Sequence, residues 1–222
     1  MAAAAITTRM GRPVSIAESA PRSFRGALRD AWTPGGVLLG AGAFVQAANS
    51  GIAGSWLGLY VFRRLGVSLE WSLTILIGFW AAVTSARVLA ARIPPRAGRV
   101  LPALGVTAVS LLGALFLMQT VQASGALVGA LLLGAGVGAA HPLMLGAMQT
   151  RLLPAPTGLP RLYAAGSLLA ALFCAWAIGP LSNQWGIDVV VWILLVGGVG
   201  ALGILVTLVI ESRFSPSPAS AR

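Results

Sequence analysis

"QTVQASG", Gln119 to Gly125, decides how often this chain crosses a bilayer. It interrupts a run, Val100 to Thr150, that holds no Asp, Glu, Lys or Arg. One straight helix over that run would be about 76 Å long at 1.5 Å per residue. The hydrocarbon core of a membrane is only about 30 Å thick. The polar interruption therefore divides the run into two spans, about Val100–Gln119 and Gly125–Leu153.

The same absence of charge recurs on both sides. Ala31 to Phe62, Leu162 to Ile187 and Val189 to Ile210 are also uncharged. The 222-residue chain is 57% apolar and 9% charged, with a mean hydropathy of +0.88. Soluble domains carry about 25% charged residues, so these few charges cannot cover a water-facing surface. The pattern predicts an all-α membrane protein, a six-transmembrane-helix bundle. Its spans are Gly35–Leu59, Glu70–Arg92, Val100–Gln119, Gly125–Leu153, Leu159–Leu181 and Ile187–Ile210. "WTPGG" opens the first span, and "IPPRAGR" forces a turn after the second. "GPLSNQWGID" reads as a tight polar turn between the fifth and sixth.

Residues 32–210 form the membrane domain in this reading. Residues 1–31 are a basic cytoplasmic arm, in which Pro21–Asp30 can form a short amphipathic helix on the membrane surface. The arm lacks the long apolar core of a secretory signal. A cytosolic arm is preferred over a transit peptide. Residues 211–222, "ESRFSPSPASAR", lack a packing pattern and read as a disordered cytoplasmic tail.

All fifteen basic residues are arginines, set against five acids. With six spans, the arm, the connections after spans two and four, and the tail fall on one side and hold most of them. The other side has Arg63 and Arg64, offset by Glu70 and Asp188. Positive residues favour the cytoplasm, so both termini are expected there, in a plasma or bacterial inner membrane. This distribution explains the basicity better than nucleic-acid binding does, and no nucleic-acid partner is expected. The partners expected are the lipid bilayer and a small solute.

Polar groups at membrane depth need partners, a cavity or a water path. Gln46, Asn49 and Ser50 lie close together in the first span, and their spacing of three and four places them on a shared helix face. Two roles are open to them, helix–helix hydrogen bonding or a substrate-facing patch. Trp56 and Tyr60 follow, either lining the outer end of the same cavity or anchoring at the interface. Arg87 either snorkels to headgroups or faces the bundle interior, where it would attract an anion or a carboxylate. Trp80, two turns earlier, can stack on a ring-shaped solute. His141 lies beside Pro142, which frees the carbonyl of Gly138. It is either a lining residue of a polar path or a structural hydrogen-bonding group. Gly129, Gly134 and Gly138 are expected near one face of the fourth span and Gly136 on another, as small residues that let neighbouring helices approach closely.

Catalysis has little support. Ser124 and Ser167, near span entrances, lack a recognisable base, and there is no "GxSG" or "HExxH". One histidine and one cysteine are too few for a metal site. Cys174 reads as a small packed residue. No catalytic residue, metal or cofactor is expected.

The order of these features resembles the C-terminal six-helix half of a major facilitator superfamily transporter, in the sugar-permease branch that includes fucose permeases. "AANSGIAGSWLGLYV" is similar to the first helix of that half. "FWAAVTSARVLAARI" resembles the helix with a family Gly-Arg pair, here Ala86-Arg87. "GAGVGAAHPLMLGAMQTRLLP" is similar to the glycine-rich helix that ends in a basic loop. "GSLLAALFCAWAIGPLSNQWG" resembles the next helix and its Gly-Pro exit, Gly179-Pro180. The branch often has an acid where this chain has Ser50, which argues against proton coupling through that helix. Standard members have two six-helix halves.

The resemblance implies alternating-access transport of a small polar organic solute, with a second six-helix half or a homodimer completing the site. Gln46, Asn49, Ser50, Trp56, Trp80, Arg87 and His141 are the candidate substrate-binding residues. The alternative is a non-transporting membrane scaffold or a truncated, degenerate transporter fragment.

Overall fold

The computed structural model describes residues 34–93, 99–151 and 158–214. These form six helices and no strand among the described residues: α1 Pro34–Leu65, α2 Leu69–Ala91, α3 Val100–Gln119, α4 Ala123–Arg151, α5 Gly158–Trp185 and α6 Val189–Phe214. Each is long and apolar enough to cross a bilayer. The chain is an all-α, six-helix membrane bundle. The expected arm, the Pro21–Asp30 helix and the final residues 215–222 lie outside the described residues, as do the centres of the α2–α3 and α4–α5 connections.

Helix ends follow local chemistry. Gly66 ends α1 with φ +62°, a conformation that costs glycine nothing. Ser68 then caps α2, its Oγ accepting from the Trp71 N–H at 3.4 Å. Arg63 and Arg64 occupy the last turn of α1 and Glu70 the first turn of α2, the arrangement that helix dipoles favour. Across this loop region Arg64 meets Asp188, at the start of α6, at 3.0 Å. The pair is half-exposed, so it contributes at most about 1 kcal/mol.

Three helices end four or more residues beyond the sequence reading. α1 continues past Leu59 to Leu65, because Tyr60 and Val61 are buried in the bundle. α5 continues through Gly179-Pro180 to Trp185. Its stop is Gly186, with φ +81°, whose N–H donates to the Ser182 carbonyl at 3.0 Å. That is a glycine cap, and it shortens the expected polar turn. α6 continues past Ile210 to Phe214, so the first residues assigned to the tail are helical.

α4 organises the packing. A Cβ on Gly138 would lie 2.6 Å from the Val83 carbonyl oxygen, and one on Gly134 would strike the backbone of Phe79. These two glycines seat α4 on α2. A Cβ on Gly136 would strike the backbone of Ser110, and one on Gly129 would press on Leu117. These two seat α4 on α3. The sequence reading put Gly129 with Gly134 and Gly138. At 3.6 residues per turn, Gly129 and Gly136 are seven apart and nearly eclipsed, whereas Gly129 and Gly134 diverge. Two glycine seams therefore run along opposite flanks of α4. Such seams permit backbone approach where water supplies no driving force.

α1 is the second hub, packed on α4, α5 and α6. Gly51 admits the backbone of Ala171 on α5. α1 and α3 are joined instead by long polar side chains. Gln46 Nε2 donates to Thr107 Oγ1 at 2.9 Å, and Tyr60 Oη donates to the Leu117 carbonyl at 3.2 Å.

Apolar side chains fill two clusters. One contains Ile52, Leu57, Ile75, Phe79, Leu117 and Leu133. The other contains Leu39, Ala86, Leu143, Met144, Leu205 and Leu208. Along α1 and α3 the boundary between them is polar. Gln46, Asn49, Thr107 and Ser110 are all buried there.

Two outcomes follow from this packing. Gly138→Leu should lower stability by about 1–3 kcal/mol. Gly200→Leu, where an added Cβ meets nothing within 4 Å, should change it by less than about 0.5 kcal/mol. Reversible unfolding in mixed micelles measures both, and equal effects would contradict the α4 seams. By the same assay Thr107→Val should cost about 0.6–1.7 kcal/mol, the range for an interhelical bond in lipid. Thr207→Val, which loses only a bond to Gly203 of its own helix, should cost less.

Candidate functional site

A cavity of about 410 Å³ lies between α1, α2, α4 and α5. Ser50 comes from α1, Trp80 and Arg87 from α2, His141 from α4, and Ser167 from α5. The remaining wall is small or apolar, including Ala47, Gly51 and Ala171. α2 and α5 flank the cavity without packing closely on each other.

Helical spacing explains how these groups meet. Trp80 and Arg87 are two turns apart on one face of α2. Gly54 makes room for the Trp80 ring, since a Cβ there would lie 2.5 Å from it. Phe79 stacks edge-on against the same ring, with centroids 5.4 Å apart. The indole is thus held at the wall, with part of its surface exposed. His141 reaches the cavity from beside Pro142, which lies inside α4. The glycine seam at Gly138 draws that turn of α4 against α2. Its Nε2 is buried and has no hydrogen-bond partner. Arg87 is exposed, and no ion pair of Arg87 occurs among the described residues.

Of the seven residues singled out in the sequence, the structure brings Ser50, Trp80, Arg87 and His141 to this cavity. It puts the other three elsewhere. Gln46 is fully buried and bonded to Thr107. Asn49 is also buried, its Nδ2 donating to the Leu194 carbonyl of α6 at 3.5 Å. It borders a separate, larger cavity of about 770 Å³ with Phe44, Trp192 and Val196. That cavity is walled almost entirely by apolar groups. Trp56 donates its indole N–H to the Ala175 carbonyl of α5 at 2.6 Å. The expected common face for Gln46, Asn49 and Ser50 is therefore divided. At about 100° per residue, Asn49 and Ser50 already diverge, and α1 has a different neighbour on each bearing.

Ser167 was noted in the sequence only as a serine without a catalytic surround. It is buried and lines the cavity from well inside α5. Thr107 and Ser110 were missed altogether. Hydroxyls are ordinary in membrane helices, and only the pairing of α1 with α3 reveals their role. Their alignment with Gln46 could not be read from one helix.

Chemically, the cavity offers one permanent cation, a flat aromatic surface, an imidazole and two hydroxyls. No carboxylate lines it among the described residues. Among the described residues no group of His, Cys, Asp or Glu could hold a metal ion. Such an arrangement has the groups to hydrogen-bond a small polar molecule. No family model, curated protein or solved structure matches the chain.

Proposed function

We propose that this chain is one six-helix half of a membrane transporter, moving a small polar organic solute by alternating access. The observation that carries this reading is the meeting of Ser50, Trp80, Arg87, His141 and Ser167 in one cavity, from four different helices. Spending five polar or amphipathic side chains on a lipid-facing surface would be costly. Transporter sites lie at mid-membrane depth between repeated helical units, and Ser50 lies midway along α1.

A single unit leaves the cavity open on the flank between α2 and α5. α5 is the least covered of the six helices and exposes Leu168, Leu172, Phe173 and Trp176. In this reading a second unit, either another copy of the chain or a separate six-helix half, closes the open flank. Rocking of one unit against the other then exposes the solute to each side in turn. Both termini are cytoplasmic, as the arginine distribution favours, in a plasma or bacterial inner membrane. The resemblance to the C-terminal half of a major facilitator transporter supports the same arrangement.

The test is uptake by liposomes containing the full chain, against a panel of radiolabelled sugars, amides and organic acids. At least one solute should accumulate faster than in protein-free vesicles. Arg87→Gln should reduce that initial rate about tenfold, the loss expected for one charge-assisted contact. Unchanged uptake in the variant would contradict the role of this cavity. Absence of uptake for every solute, from protein that unfolds cooperatively, would favour a scaffold.

A further inference from the structure

Resting on the proposed solute-binding role of this cavity, we infer that its ligand is anionic, a small molecule presenting a carboxylate or phosphate oxygen to Arg87. The argument is the imbalance between donors and acceptors in the wall. Arg87 carries five N–H donors and no acceptor, and an indole N–H is a donor only. Ser50 and Ser167 can each donate one proton. His141 presents a buried Nε2 without a partner. Among the described residues, nothing in the lining is a carboxylate or a carboxamide.

The two carboxamides of the same α1 turn are committed elsewhere. Gln46 is bonded to Thr107, and Asn49 points its amide at Leu194 of α6. A neutral polyol could place its hydroxyl protons on the two serine oxygens and one imidazole nitrogen, but it would leave the five Arg87 donors without a charged acceptor. An anionic oxygen is an acceptor only, so it matches the wall. Charge leads to the same answer. Charged groups lining the cavity include no carboxylate among the described residues to offset Arg87, and a cation within a span attracts an opposite charge. The exposed part of Trp80, two turns from Arg87, would favour a flat apolar group attached to the anion.

Benzoate and benzamide isolate this claim, because they share size and ring and differ in charge. The full chain in phosphatidylcholine nanodiscs should bind radiolabelled benzoate at least about tenfold more tightly than benzamide in equilibrium dialysis. Arg87→Gln should abolish the preference and Arg87→Lys should retain most of it. Arg63→Gln, outside the cavity, should leave it unchanged. Adding phosphatidylglycerol identifies the source of the natural anion. Competition with benzoate assigns the site to a lipid headgroup phosphate, and no competition assigns it to a soluble anion. Equal binding of the two compounds, binding of neither, or a preference that survives Arg87→Gln overturns the inference. Benzoate binding without uptake of any solute would sink the transport reading while leaving the anion site intact. Uptake of a neutral solute without benzoate preference would do the reverse.

Discussion

A helix in hydrocarbon gains almost nothing from hiding apolar side chains, because lipid is as apolar as they are. Association must come from close van der Waals contact and from polar groups that find partners. The glycine seams of α4 meet the first requirement. Gly134 and Gly138 bring its backbone against α2, while Gly129 and Gly136 accommodate α3. α4 thus holds its two neighbours from opposite flanks. His141 reaches the cavity from the turn that Gly138 seats against α2, next to Pro142 inside the continuous helix.

The second requirement is met mainly by side chains donating to backbone carbonyls of neighbouring helices. Trp56 reaches Ala175, Tyr60 reaches Leu117, Tyr163 reaches Gly36, and Ser72 reaches Gly58. A helical carbonyl has a lone pair left after its own helix bond, so each contact adds a partner without breaking the helix. Gln46 and Thr107 form the side-chain counterpart, bridging α1 and α3 where the backbones stay apart. Against this background the cavity stands out. Its donors have not been absorbed by the bundle, and Arg87 is a charge within a span without an ion pair among the described residues. Most bonded polar groups join helices, while Ser50, Trp80, Arg87, His141 and Ser167 face a common space.

The crossing pattern was legible because charge and length are one-dimensional. The uncharged runs and the break at Gln119–Gly125 gave six helices, and α3 has the expected ends. Other boundaries moved wherever a turn-like residue sat inside a continuing helix, as Gly179-Pro180 does in α5. Facing was legible only in part. Trp80 and Arg87, seven residues apart, meet as helical spacing implies. Gln46, Asn49 and Ser50 do not act together, because α1 is surrounded and each bearing meets a different helix. Ser167 and Thr107 gave no signal, since a hydroxyl in an apolar run gains meaning only from the helix opposite. A cavity built from four helices is a property of their arrangement, which no single span records.

In the proposed topology the chain crosses the bilayer six times with its arginine-rich side in the cytoplasm. The most direct measurement places a cysteine near each end, at Ala4 and Ala219, in a Cys174→Ala background. Labelling of intact cells with a membrane-impermeant maleimide then reports which side each end occupies. The account predicts that neither cysteine reacts until the membrane is permeabilised, after which both do. Labelling of one end and not the other in intact cells would contradict an even number of crossings, and with it the arrangement of the cavity.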